Sequence, residues 1–564
     1  MSRRRTMSLH DQRPLLNDTE SQTSEATTEE WSDRPSAARR RRILLKAIAI
    51  AHPAHLYTLL KRLLYCFVPQ ILRTQIFDDP APKPKHFSTS YLNGLRGLTA
   101  LKVFTFHYFM VFTEATHIPY GASPRYTYWT ELPYIRYFWT GFTSHVFFAL
   151  AGYLTCHRLF ILLDKNDTAS QAKVLLSVSG SLFRRAFRLY LPVFIITLIM
   201  TTYIHLGYYE YNRPLLLNWT RLFPGDWNET KPDMYPTWYE QLQFWAGEMY
   251  QLCNFVSSET FYPLHDQHLW SILAEMRASL HLHGIIVALA QCTRKARLVC
   301  LFFLTLAYIW WDHWEIWVYL LGAIVAQIDQ ILTEREQKHE KELGSKAIPT
   351  TEHETEKEET SPRESSHTAK IPTFVESLRS TYSIDLTPYI HAPSAYQALR
   401  ITGFLIAFYL LSYPIHGSRG DRAPGYETLN QYIPKYMVRP DKFYSNFGTF
   451  LLLLLLVRSH PTRSRWRRLL ESSWLQYIGS ISFGFYLVQQ IVQHGGGYLI
   501  PHHVWWSFGV EGVDLDSNPA WLGAILIGWA CTLVVTVWIA DCWTREVEGR
   551  CTKLVKRLEA SCFR

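Results

Sequence analysis

Trp521-Leu-Gly-Ala-Ile-Leu-Ile-Gly-Trp-Ala-Cys-Thr-Leu-Val-Val-Thr-Val-Trp-Ile-Ala540 runs for twenty residues without a charge. A helix crossing the ~30 Å hydrocarbon core of a bilayer needs about 20 predominantly apolar residues, so the stretch 519–541 is long enough to cross. Nine further stretches read the same way: 93–113, 141–163, 188–208, 268–291, 297–312, 314–333, 397–413, 444–458 and 475–494, those at 297–312 and 444–458 being short. The expectation is an all-α integral membrane protein with about ten transmembrane helices. Composition agrees. The 564 residues are 48% hydrophobic and 15% aromatic, but only 19% charged, against roughly 25% charged in soluble proteins. A disordered or collagen-like chain is excluded for the bulk of the sequence. The nine cysteines are odd in number and lack CxxC or Cys/His finger spacing, so neither a disulfide framework nor a metal site is expected.

Polar segments frame this core. Residues 1–42 are rich in Ser, Thr, Glu and Arg with no apolar leader, and read as a disordered basic N-terminal tail. Residues 43–87 open by alternating basic and apolar residues, as an amphipathic segment lying in the interface does. The membrane domain is expected over 88–545, interrupted by a Glu/Lys/Ser/Thr-dense disordered cytosolic loop at 334–395. Residues 546–564 are expected to form a cytosolic C-terminal tail.

Basic residues set the orientation. The net charge of +9 arises from clusters such as Arg3 to Arg5, Arg39 to Arg42, and Arg465, Arg467 and Arg468. In a membrane protein such clusters fix topology, so nucleic acid is not an expected partner. With an even number of spans, segments 1–85, 164–187, 292–297, 334–396, 458–468 and 545–564 share one side, the cytosol, with both termini. The opposite loops, 114–140, 209–267, 414–443 and 495–518, are aromatic and comparatively poor in Lys and Arg. Loop 209–267 carries the sequons at Asn218 and Asn228, candidate glycosylation sites if it is lumenal. Sequons at Asn17 and Asn166 would face the cytosol and stay unmodified.

Ionisable residues inside spans are costly and mark candidate functional sites. In Tyr91-Leu-Asn-Gly-Leu-Arg96-Gly-Leu-Thr-Ala-Leu-Lys-Val-Phe-Thr-Phe-His107, Arg96 and His107 lie eleven positions apart. That is three turns plus about 20°, so both project from one face about 16 Å apart, Arg96 nearer the cytosol. A guanidinium binds phosphate with paired hydrogen bonds, and an imidazole deprotonates a hydroxyl near neutral pH. The pair suits a polyanionic co-substrate held at the mouth with its reactive end reaching inward. The same spacing also accommodates an Arg96 that reaches headgroups and a His107 that satisfies a neighbouring helix. The small residues Gly94, Gly97 and Ala100 allow a helix or a ligand close. In the span beginning His268-Leu-Trp-Ser-Ile-Leu-Ala-Glu275-Met-Arg277, His268 and Glu275 share a face while Arg277 points roughly opposite and needs another partner. An unpaired carboxylate there would be expensive, so Glu275 requires a polar cavity or an ion pair. No P-loop, dinucleotide-binding glycine pattern or GxSxG elbow is present.

The motifs together resemble the acyltransferase 3 family, fungal members included. Asn93-Gly-Leu-Arg96-Gly-Leu98 through His107 resembles its opening motif, and Phe147-Phe-Ala-Leu-Ala151-Gly152-Tyr-Leu154 its second-span motif. Arg184-Arg185-Ala-Phe-Arg188-Leu-Tyr-Leu-Pro192 is similar to its basic loop, and His268-Leu-Trp through Glu275-Met-Arg277 to a signature of fungal members. Ser480-Ile-Ser482-Phe-Gly-Phe-Tyr486-Leu-Val488 resembles its late span. The chain departs from the family at Ala151, where Ser is frequent, at Gln489, where many members carry His, and at Met276 and Ala278.

The resemblance implies an integral membrane O-acyltransferase. Such an enzyme moves an acyl group, with acetyl the expected one, from acyl-CoA to a hydroxyl of a carbohydrate, lipid or natural product. It implies that His107 is catalytic and that Arg96 binds the CoA phosphates, with Arg184, Arg185 and Arg188 adding charge at the mouth. Glu275 is then a candidate to orient His107, and His268, Arg277, Ser482 and Tyr486 are candidates for the same polar cavity. Membrane lipids, acyl-CoA and the hydroxyl-bearing acceptor are the expected partners, with acetyl-CoA a co-substrate and no metal. The competing reading is a multispan transporter or proton-coupled carrier lined by the same charges. A multi-pass location follows from the spans; the organelle does not.

Overall fold

The computed structural model describes residues 65, 68–69, 73 and 89–563, apart from 114–115, 122–128, 139–143, 166, 211–212, 214–231, 258, 347–392, 415–423, 461–463 and 509–518. The expectations for 1–42, most of 43–87, Asn218, Asn228, Asn166 and residues 347–392 lie outside the described residues. The described helices belong to the unit Cys66–Arg564, and among the described residues there is no strand.

Apolar runs become helices because hydrocarbon offers backbone amides no partner, and only a helix pairs them within its own segment. In chain order these are α1 (Ser90–Phe109), α2 (Ser144–Leu163), α3 (Thr168–His205), α4 (Trp238–Leu252), α5 (Trp270–Ala288), α6 (Arg294–Trp310), α7 (Trp314–Lys346) and α8 (Pro393–Leu411). They continue with α9 (Asp441–Val457), α10 (Arg465–Leu470), α11 (Ser473–Ser480), α12 (Ser482–Val492), α13 (Leu499–Ser507), α14 (Pro519–Trp543) and α15 (Gly549–Cys562). Among the described residues, four helical stretches are long and apolar enough to cross a bilayer: α2, α3, the part of α7 over Trp314–His339, and Ala520–Cys562. The apolar stretch of α8, Gln397–Leu411, is shorter. Outward-facing apolar stripes agree with membrane character. On α6, Val299, Phe302, Phe303, Leu306 and Trp310 follow helical spacing and are exposed, Trp310 by 68%. A soluble protein would bury such a face.

Two glycine contacts set the close packing. A Cβ on Gly152 of α2 would stand 2.2 Å from the Tyr319 carbonyl oxygen of α7, and one on Gly322 of α7 would stand 2.1 Å from that of Ala149. Glycine on both sides brings these two backbones together, as small residues do in membrane helix pairs. Gly94 and Gly97 of α1 do the same against Leu470, Leu475 and Gly479 on α10 and α11. What approaches these glycines is a helix.

The span expected at 475–494 is not one helix. It divides into α11 and α12 at Ile481, and α12 runs into a π-helical turn at Gln493–Gly497. The cause is local: Gly479 sits 2.1 Å, measured from its ideal Cβ, from the Asn93 carbonyl oxygen, and Gly495-Gly496-Gly497 relaxes the helical ladder. At the far end, α7 continues through Lys346 into the segment 334–395. Arg294 holds Glu334 at 2.6 Å, and Arg458 holds Glu336. The last polar segment is also helical: Cys551 and Val555 of α15 are buried, and the helix packs on α3.

Candidate active site

Helices α1, α2, α3, α5, α12 and α15 enclose a cavity of about 730 Å3, within the range of small-molecule sites. Of the residues singled out from the sequence, Arg96, His107, Arg184, Arg185, Arg188, His268, Glu275, Ser482 and Tyr486 line it. They come from four helices and, for His268, the 3-10 turn Gln267–Leu269 just before α5, which the chain separates by up to hundreds of residues. Arg277 does not line the cavity. It points away from Glu275, as the helical wheel requires, and pairs with Glu315 of α7 at 2.8 Å. Its guanidinium also donates to the Glu259 carbonyl at 3.0 Å and that of Phe255 at 3.4 Å, so it ties α5 to α7 and to the loop before α5.

One part of the cavity wall is basic. Arg185 is committed: it donates to Glu275 at 2.7 Å and to the Tyr319 hydroxyl at 2.7 Å. Arg184 pairs with Glu559 of α15. Arg96 and Arg188 differ. Among the described residues neither makes a side-chain hydrogen bond or an ion pair, although both lie in the field of the Glu548 carboxylate. Two guanidiniums that face a cavity without hydrogen-bonded carboxylates suit a phosphorylated ligand.

A second part carries imidazoles. The rings of His107 and His268 lie against each other, with centroids 3.5 Å apart and planes inclined by 38°. Glu275 pairs with Arg185, and the ring against His107 is that of His268. The polar residues around His268 are specific. The Tyr486 hydroxyl donates to the His268 carbonyl oxygen and lies 2.7 Å from the Ser271 hydroxyl. Gln489 Nε2 approaches His268 Nδ1 at 3.4 Å, so the residue at which this chain departs from the family pattern stands directly on the second histidine. Asp266 accepts from the His268 backbone amide at 2.9 Å and caps the turn that carries it. The Ser482 hydroxyl spends its proton locally, on the Gly479 carbonyl at 2.9 Å.

The backbone under His107 is held by the π-helical turn. Tyr498 donates to the His107 carbonyl at 3.0 Å, and Gln493 Nε2 to that of Phe104 at 3.3 Å. Such turns recur at functional sites because they aim side chains that a regular helix would not. The sequence reading missed Gln493, Tyr498, Tyr319, Lys556 and the role of Gln489. Only Gln489 carried a signal, its departure from the motif.

The site is thus a cavity in a helical protein of membrane character, with a basic wall and two adjacent imidazoles. Comparison narrows the class. An acyltransferase domain, that of the acyltransferase 3 family, matches residues 89–540. Acyltransferase R4 of a Phoma species is 25% identical over 515 residues, covering 86% of this chain and 98% of that protein. Acyltransferase clz18 of Cochliobolus lunatus is 24% identical over 522 residues, with the same coverage. O-acetyltransferase PaAT-1 of Phomopsis amygdali is 24% identical over 497 residues, 84% of each chain. No solved structure matches. The chain belongs to the acyltransferase 3 family and is an enzyme that transfers acyl groups.

Proposed function

We propose that this protein is a ten-span membrane O-acyltransferase, both termini cytosolic, that moves an acetyl group from acetyl-CoA to a hydroxyl of a carbohydrate, lipid or natural product. The observation that carries the reading is the shared cavity: unpaired guanidiniums Arg96 and Arg188 and the imidazole of His107 open into the same space. The side chains fit an acyl-CoA and its acceptor, since the donor's phosphates need fixed cations and the attacking hydroxyl needs a nearby base. One relative is named an O-acetyltransferase, which supports both the acetyl group and the oxygen acceptor.

In this mechanism Arg96 and Arg188 bind phosphate oxygens at the cytosolic mouth. His107 accepts the proton of the acceptor hydroxyl as its oxygen attacks the thioester carbonyl. The tetrahedral intermediate collapses, the C–S bond breaks, and the leaving thiolate takes the proton back from the imidazolium. CoA departs as the free thiol, and no further reagent is needed. Glu275 acts at one remove, fixing Arg185 on the cavity wall.

His107→Ala tests the reading. In purified protein at wild-type abundance it should lower transfer by 10²–10⁴-fold, the range for loss of a general base. Full transfer by this variant would end the assignment of His107. Solute uptake into liposomes without release of free CoA would replace the enzyme reading with that of a carrier.

A further inference from the structure

The C-terminal helix α15 turns a single stripe toward the rest of the molecule. Thr552, Val555, Lys556, Glu559 and Phe563 stand at i, i+3, i+4, i+7 and i+11, one face of a helix and the residue just past its end. One end of the stripe is moored on α3. Glu559 pairs with Arg184, and the Phe563 ring meets Phe183 with centroids 5.3 Å apart. The other end, Thr552, Val555 and Lys556, lines the cavity. Val555 is 2% exposed, so the helix is seated there.

Lys556 sits on that stripe with its side chain exposed. Among the described residues it makes no hydrogen bond or ion pair. A lysine on an amphipathic helix is ordinarily just solvated. Two observations separate this one from that case. It faces the cavity that holds Arg96 and Arg188, and the Arg184–Glu559 pair fixes the helix that presents it. Three cations from three helices, α1, α3 and α15, thereby face one space with no carboxylate hydrogen-bonded to any of them.

We infer that α15 forms part of the donor site and that Lys556 binds a phosphate of the acyl donor. The inference rests on the acyl-CoA reading above and adds a residue, and a helix, to the binding site. An ammonium is a flexible point donor, suited to a phosphate at the open end of the cavity. The Arg184–Glu559 pair acts as a positioning contact. An anionic lipid headgroup would offer the same phosphate chemistry, so the test separates the two sources.

Full-length protein in nanodiscs of neutral phosphatidylcholine is titrated with CoA by calorimetry, using wild type, Lys556→Glu, Lys556→Arg and Arg557→Glu. Arg557 is turned about 100° from Lys556 around the helix and does not line the cavity. Loss of one charge-assisted phosphate contact, with a like charge in its place, should weaken CoA binding by roughly tenfold or more. Lys556→Arg should restore it and Arg557→Glu should leave it unchanged. Lys556 is exposed, so an unchanged thermal midpoint is expected for each variant and is checked alongside. CoA binding by Lys556→Glu equal to wild type overturns the role of Lys556 while leaving the acyl-CoA reading standing. A wild type that binds no CoA removes that reading, and this inference with it. An effect of Lys556→Glu that appears only in discs containing phosphatidylserine assigns the residue to lipid and overturns the donor role.

Discussion

A guanidinium packed among helices away from water needs a counter-charge or a ligand, because an apolar interior supplies neither. Arg277 and Arg96 represent the two solutions. Arg277 and Glu315 each keep about 6% of their side-chain surface accessible, at 2.8 Å, and the remaining guanidinium protons go to carbonyls of the preceding loop. Removing one partner of a buried pair strands the other, which costs more than the pair contributes. Arg277→Ala should therefore destabilise the protein by about 3–5 kcal/mol, read as a fall in the detergent unfolding midpoint. Arg277→Met combined with Glu315→Leu should recover much of that loss, which a purely catalytic role for Arg277 would not allow. Arg96, by contrast, should tolerate Arg96→Gln with little change in midpoint and a raised KM for the donor. The same midpoint and kinetic measurements on the two variants separate an anchor from a binding residue.

At the scale of helices, glycine placement decides which pairs approach. A Cβ on Gly94 would stand 1.7 Å from the Leu470 carbonyl oxygen, a backbone atom that no rotamer change can move. Gly94→Ala should then force α1 off α10 and α11, disturb Arg96 two positions on, and lower both folded yield and unfolding midpoint. Gly247 of α4 supplies the contrast, since nothing lies within 4 Å of its ideal Cβ. Gly247→Ala should stabilise by roughly 0.5–1 kcal/mol through helix propensity alone. The glycines of α1 were legible in the sequence as permission for close approach, but their partner helices, several hundred residues away, were not. Periodicity reads one helix at a time. It placed Arg96 with His107 and turned Arg277 away from Glu275. It had no means of pairing Glu275 with Arg185, 90 positions apart, or Gln489 with His268, 221 apart. Lys556 was hidden for a different reason: a basic amphipathic stretch after the last apolar run looks the same whether it is solvated or seated on a site.

For the whole molecule, the orientation proposed above makes a prediction that does not depend on activity. Arg96, Arg184, Arg185, Arg188 and Lys556 line the cavity, and the sequence puts its basic loops on the same side as the segments next to them. If that side is the cytosol, the mouth meets acyl-CoA where it is made, and α3 leads into the opposite compartment. The segment between α3, which ends at His205, and α4, which begins at Trp238, contains the sequons at Asn218 and Asn228. N-glycans are added only on the lumenal side of the secretory membrane, so this segment reports topology independently of activity. Protein expressed in eukaryotic cells should lose apparent mass on peptide N-glycosidase digestion, and Asn218→Gln with Asn228→Gln should abolish the shift. Asn166, between α2 and α3 on the expected cytosolic side, should stay bare, so Asn166→Gln should change nothing. A glycan on Asn166 with none on the other two would invert the molecule. The guanidinium mouth would then face the lumen, and the donor would have to be a phosphorylated acyl carrier found there instead of cytosolic acyl-CoA.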